Sequence, residues 1–236
     1  MPDQSTIRNH LLRSMSREDF GRLAPHLEER RFERGEKLFV AGDAPQYAWF
    51  LDTALGSLVA TSPEGHRIEG GIYGVDGFAP VGLILAAPVS PYENTIQLPG
   101  SGWRVPASVL VDAADASVTL RNVLLRFAHT LSVQTMFTAL SNSVHPVDER
   151  LARWLLMCHD RTIGTEMELT HEFLSIMLAV RRPSVTTALH TLEGNRFIRA
   201  ERRCITILDR TGLEEFAGDA YGKPEEEYRR LLGWFA

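Results

Sequence analysis

The stretch Leu178–Glu193, "LAVRRPSVTTALHTLE", decides how the chain is read. From Ser184 onward it has the composition of a helix, yet Pro183 stands at its head behind two arginines. The first N–H groups of a helix have no intrahelical acceptor, so a proline in the first turn removes no hydrogen bond, and its fixed φ favours the helical start. Proline also pushes the residue before it, Arg182, out of the helical region and sharpens the boundary. Pro183 is therefore a start signal. The helix end it creates is framed by Arg181, Arg182, Ser184 and Thr187. Free N–H groups and a positive dipole at such an end suit phosphate.

Working outward, "EMELT" (166–170) reads as a short strand entering Thr170, whose hydroxyl can cap the helix "HEFLSIML" with Glu172 in its first turn. "AVR" is the turn between the helices. "RFIRAERRCITIL" (196–208) reads as a hairpin with Ile198, Ile205 and Ile207 as strand residues. The whole is a helix-turn-helix followed by a wing. Leu174, Leu178, Val180, Val185 and Ala188 stand where two steeply crossing short helices would bury a shared core, and small Ser175 falls where they pass closest.

In a helix-turn-helix the start of the second helix enters the major groove. Arg182 is placed to pair with O6 and N7 of a guanine, and Thr187, one turn later, to meet a thymine methyl or a base edge. Arg181, Ser184, Thr170 and His171 are placed as phosphate contacts, and Arg203 of the wing completes the DNA-facing set. The 236 residues carry a net charge of −5, so the protein is not basic throughout. From Arg181 to Arg210, however, seven arginines face Glu193, Glu201 and Asp209, a local +4. That asymmetry points to a polyanion such as double-stranded DNA.

The length favours two modest domains over one. Residues 5 to 30 read as two short helices, the second opened by Ser16 as N-cap with Asp19 three residues on. From about Arg31 to Val111, short apolar stretches ("KLFV", "AWFL", "SLVA", "RIEGGIYG", "TIQL") alternate with turn residues, which predicts a sandwich, jelly roll or small barrel. From Ala113 to Asn142 the spacing predicts one long helix of about 25 residues, apolar over too wide an arc for a surface helix. One side would pack on the β-domain. The other would meet a second copy of the chain, and Leu120, Leu124, Phe127 and Leu131 are the dimerisation candidates. A new helix starts near Pro146, so a domain boundary falls at about 142–145. The expected divisions are a β-roll with N-terminal helices (1–112), a dimerisation helix (113–144), a winged helix-turn-helix (145–213) and a helical tail (214–236). In that tail Tyr228, Leu231, Leu232 and Phe235 share one face. The fold class is α+β.

Other chemistries find little support. No apolar run is long enough to span a bilayer, and the N-terminus lacks the pattern of a signal peptide, so no membrane role and a cytoplasmic location are expected. Cys158 and Cys204 are too few and too isolated for a disulfide framework or a metal cluster, and read as buried or half-buried thiols. Histidines 145, 159, 171 and 190 show no nucleophile-base-orienter pattern and no metal-ligand spacing, so neither a catalytic nor a metal site is expected. The alternative to a DNA-binding regulator is a sensor or scaffold module that binds a ligand or a protein.

"ERLARWLLMCHDR" (149–161), "ELTHEFLSIMLAVRRPSVTTALHTLEGNRFI" (168–198) and "ITILD" (205–209) closely resemble the DNA-binding domain of the Crp/Fnr superfamily of bacterial transcription regulators. The order of β-roll and long helix upstream matches the family's cyclic-nucleotide-binding-like domain and dimerisation helix. The resemblance implies a homodimer on an inverted-repeat operator, with RNA polymerase as a further candidate partner. The sequence also departs from the family. Pro183 and Thr187 replace a glutamate and an arginine common in the family's reading helix, so a different operator is expected, and Ala179 replaces the usual turn glycine. A left-handed alanine there would cost about 1 kcal/mol. The sensor stretch "DGFAPVGLILAAPVSPYENTIQ" (76–97) has Phe78 in the region of the ribose-binding glutamate. No arginine occurs between Arg67 and Arg104 to hold a cyclic phosphate. Binding of cyclic AMP or cyclic GMP in the family's mode is not expected. Nor is an iron-sulfur cluster, and haem would have only His66 and His129 to draw on. No cofactor is expected and the effector is unknown. "FAPVGLILAAPV" (78–89) is either a pocket wall for an uncharged effector or ordinary roll core.

Overall fold

A computed structural model describes residues 2–233. The short N-terminal helices are α1 (His10–Ser14) and α2 (Arg17–Leu23). Ser16 caps α2 by accepting from the Asp19 amide at 3.0 Å, as the sequence predicts. The Asp19 carboxylate reaches onward, accepting from the hydroxyls of Ser117 (2.5 Å) and Thr119 (2.6 Å).

Eight strands follow: β1 (Glu28–Phe32), β2 (Lys37–Phe39), β3 (Tyr47–Leu51), β4 (Leu55–Thr61), β5 (Arg67–Tyr73), β6 (Phe78–Ala79), β7 (Glu93–Leu98) and β8 (Gly100–Pro106). They form two antiparallel sheets, ordered β1-β8-β3-β6 and β2-β7-β4-β5. This is the expected β-roll. All five quoted apolar stretches are strands; β1 and β8 lack an apolar signature, and β6 is the two-residue start of "FAPVGLILAAPV". β1 ("EERRF") is an edge strand with one neighbour, so charges on its free side cost nothing. β8 begins "GSG" because its backbone lies hard against β3: a Cβ on Gly102 would sit 2.5 Å from the Phe50 carbonyl oxygen.

α3 (Ala107–Ala116) and α4 (Val118–Val144) are separate helices. The single helix expected from Ala113 is broken at Ser117, which is extended and whose hydroxyl caps α4 by accepting from the Leu120 amide. α4 has 27 residues and is the long helix of the chain. The dimerisation candidates need correction. Leu120, Leu124, Phe127 and Leu131 are 0–6% exposed and belong to the core that fills the roll of the same chain. The apolar side chains that α4 leaves in solvent are Val118, Met136, Leu140 and Val144. Both faces of the helix are apolar, and periodicity alone does not say which one the roll takes.

α4 ends at Val144 and α5 (Val147–His159) begins after Pro146. β9 (Glu166–Met167), α6 (His171–Met177), α7 (Arg182–Gly194), β10 (Ile198–Glu201) and β11 (Cys204–Ile207) form the winged helix-turn-helix, with sheet order β10-β11-β9. Leu174, Leu178, Val185 and Ala188 are buried in its core and Val180 packs against it. Cys158 is buried and Cys204 half-buried, both as free thiols.

The two halves share a core. Leu55, Val59, Ile72 and Leu98 of the roll pack with Leu151, Trp154, Leu155, Cys158 and Met177. Two polar contacts cross the same boundary. Glu69 of β5, fully buried, accepts from Trp154 Nε1 at 2.7 Å and from the Ser57 hydroxyl. Arg161 donates from Nε to Asp76 at 2.9 Å, both side chains being buried. α8 (Arg210–Ala217) completes this half, and α9 (Lys223–Leu232) folds back onto α4, where the Tyr228 hydroxyl donates to the Asp76 carbonyl at 2.7 Å. Phe235, assigned to the tail's apolar face by sequence, lies outside the described residues. Among these residues no helix is long and apolar enough to cross a membrane.

Candidate nucleic-acid interface

α7 starts at Arg182, one residue earlier than its proline implies. The extended residue is Arg181 (φ −73°, ψ 149°), which serves as N-cap, and Arg182 and Pro183 are the first two helical residues. Both arginines are exposed, and so is Thr187. The Thr187 hydroxyl donates to the Pro183 carbonyl at 3.2 Å, one turn back along the helix. Ser184 is half-buried in the same first turn.

The Thr170 hydroxyl accepts from the Phe173 amide at 3.2 Å and so caps α6. Its O–H remains free to donate, which is the polarity a phosphate needs. His171 lies within 3.2 Å of the Thr186 hydroxyl, tying the start of α6 to α7. The turn between them depends on Ala179, whose φ of 50° is left-handed, as its glycine-like position implies. The wing tip is a two-residue turn, Arg202-Arg203, with Arg203 also left-handed (φ 64°). Thr170, His171, Glu172, Arg182, Arg202 and Arg203 line one open cleft between the helix starts and the wing.

Two members of this cleft escaped the sequence reading. Arg202 was legible as the neighbour of Arg203 in a hairpin turn. Glu172 was assigned only to the first turn of α6, yet its carboxylate holds the Arg182 guanidinium at 2.8 Å. Both side chains are more than 60% exposed, so this pair is worth at most about 1 kcal/mol and opens readily. The cleft therefore presents three arginines and a helix N-terminus, with one of the arginines parked on an exchangeable carboxylate.

The interior of the roll around Phe78 is filled. Phe78 lies between Phe50 and Phe127, with ring centroids 5.5 Å away on either side, and the Phe127 ring covers Gly77 so closely that a Cβ there would lie 2.0 Å from it. Phe78, Ala79 and Val81 are buried, so this part of "FAPVGLILAAPV" is roll core. The guanidinium that reaches the neighbouring Asp76 is Arg161, from beyond α5, and it also donates to the Met157 carbonyl at 2.8 Å.

Residues 149–216 match the model of the Crp-like helix-turn-helix domain. Among curated relatives, an uncharacterised NTE family protein of Mycobacterium tuberculosis is 29% identical over 124 residues, 52% of this chain, which spans about a fifth (21%) of that protein's length. Among solved structures, FixK2 from Bradyrhizobium japonicum superposes with a TM-score of 0.67 at 17% identity, covering 80% of this chain and 96% of its own. A putative transcriptional regulator of the Crp/Fnr family from Eubacterium rectale gives 0.65 at 18% identity, covering 88% of this chain and 97% of its own. The roll, the long helix and the winged domain stand in the order those structures share, so the chain has their fold, and its residues 149–216 are similar to the Crp-like helix-turn-helix domain.

Proposed function

We propose that the protein binds an inverted-repeat operator as a homodimer, with α7 in the major groove of each half-site and the wing on the flanking backbone. The observation that carries this reading is the cleft that gathers Thr170, His171, Arg182, Arg202 and Arg203 around the start of α7. Arg182 reads a base edge, and Arg181, Ser184, Thr170, His171 and Arg203 hold phosphates. The second copy packs along the exposed side of α4, where Val118, Met136, Leu140 and Val144 leave an apolar surface in solvent. With the roll interior occupied by Phe78 and Phe127, cyclic AMP is not the controlling ligand. RNA polymerase is the partner through which an operator-bound dimer acts.

Selection of binding sites from random duplex DNA, followed by anisotropy titrations at several salt concentrations, tests this. The expected result is a two-fold symmetric consensus, with affinity falling steeply as salt rises because phosphates are neutralised. Salt-independent binding, or none, returns the protein to the reading of a ligand- or protein-binding sensor module.

A further inference from the structure

Between β7 and α6 a narrow crevice of about 160 Å³ opens where the roll meets the DNA-binding domain. Its roll side carries two polar groups without partners. The Thr95 hydroxyl is buried with no hydrogen bond. Gln97 is 5% exposed, and its amide has no partner among the described residues. A buried polar atom left unsatisfied, as the Thr95 hydroxyl is, is uncommon and costly, and it marks a place where a further molecule supplies the missing bond.

The charge at the mouth is positive. Arg34 and Arg67 line it. Arg67 and Lys37 share the single carboxylate of Glu93, while Arg34 holds Glu168 at 2.7 Å, so three cations face two anions. The opposite wall is apolar: Phe173, Ile176 and Met177, all on α6. A methionine there adapts readily to ligand shape. An apolar cavity of about 150 Å³ accommodates benzene, so this crevice suits a ligand of about six heavy atoms and excludes a nucleotide.

We propose that this crevice binds a small carboxylate with a short apolar tail. The carboxylate accepts from the Gln97 amide, the Thr95 hydroxyl and the arginines at the mouth, and the tail lies on Phe173, Ile176 and Met177. This site is separate from the filled interior of the roll, and it touches the first helix of the helix-turn-helix directly. A ligand there changes how α6 rests on β5 and β7. Its consequence for DNA rests on the function proposed above; the binding itself does not.

The test uses the full chain without DNA and butyrate as the probe, with n-butylamine and inorganic phosphate as comparisons. The readout is the methyl resonance of Met177, alongside the fluorescence of Trp154, whose ring meets that of Phe173 at 5.6 Å. Butyrate is expected to give a saturable shift with a Kd of about 0.1–1 mM. Butylamine is expected to give none. Gln97→Leu and Arg34→Gln should each weaken butyrate at least about tenfold. Gln97→Leu removes an unpartnered polar group, so its Tm should hold or rise, and Arg34 lies at the surface, so neither variant confuses lost binding with lost folding. No saturation up to about 10 mM butyrate, an equal response to butylamine, or undiminished binding by both variants overturns the site. Phosphate binding as well as butyrate overturns the role given to the apolar wall. If butyrate binds but operator affinity is unchanged, the site stands and its link to DNA falls.

Discussion

Trp154 of α5 donates its indole N–H to the carboxyl of Glu69 at 2.7 Å, across the boundary between the DNA-binding domain and the β-roll. Burial pushes the Glu69 pKa up to about 7, against the pull of its hydrogen bonds from Ser57 and Trp154 and of the more distant Arg153 and Arg161. The Cys158 thiol, which Glu69 also influences, is itself pushed up by burial. An acid whose folded pKa is raised above its unfolded value of 4.5 contributes stability that is complete below pH 4.5 and is lost as pH rises through 7. That loss amounts to roughly 3 kcal/mol. Urea unfolding of wild type and Glu69→Gln between pH 5 and 8 should show the stability difference shifting in favour of the variant as pH rises. A pH-independent difference would refute it.

Arg161 and Asp76 form the second polar contact across that boundary, at 4% and 1% side-chain exposure. Removing only the cation leaves a buried carboxylate without its counter-charge. Arg161→Met should therefore destabilise by about 3–5 kcal/mol, and the Arg161→Met, Asp76→Asn double variant should recover part of that loss. Chemical denaturation of the three proteins measures both values.

Ala179 occupies a left-handed position that glycine adopts without strain. Ala179→Gly should stabilise the winged domain by about 0.5–1 kcal/mol, since relief of the strain outweighs the greater freedom of glycine in the unfolded chain. A lower Tm for the variant would show that the turn is not strained.

Arg182 and Glu172 pair at 2.8 Å, so the carboxylate competes with DNA for the guanidinium. Glu172→Gln should tighten binding to all sequences, by a factor within the tenfold that a pair worth about 1 kcal/mol allows. Arg182→Ala should cost about 1–3 kcal/mol on the selected operator and flatten discrimination at one base pair, whereas Arg181→Ala should weaken all sequences alike. Anisotropy against operators substituted one base pair at a time separates these outcomes.

Met136 and Leu124 stand on different faces of α4, at 69% and 0% exposure. Met136→Lys should dissociate the proposed dimer while leaving the fold intact. Leu124→Ala should cost about 2–5 kcal/mol of stability and leave association unchanged. Sedimentation equilibrium together with thermal unfolding distinguishes the two; the reverse pattern would return the seam to Leu124 and its neighbours.

What was legible in the sequence rests on short-range physics. Pro183 starts α7 and Thr170 and Ser16 cap their helices because each effect acts within about four residues of its cause. The alternation of apolar and turn residues marked five of the eight roll strands for the same reason. β1, an edge strand of charges, and β8, with its glycines pressed against β3, are strands only because a neighbour holds them there.

By itself the sequence determined the fold class and the place of the helix-turn-helix, since that motif carries its own core and its own start signals. The tertiary structure decided the rest. Which face of α4 the roll covers depends on the shape of the roll and not on helical spacing. Glu69 and Trp154 are 85 residues apart, as are Asp76 and Arg161, and no local pattern links them. The same holds for the crevice of Gln97 and Met177. Its two walls come from different halves of the chain, and only the folded chain brings them together.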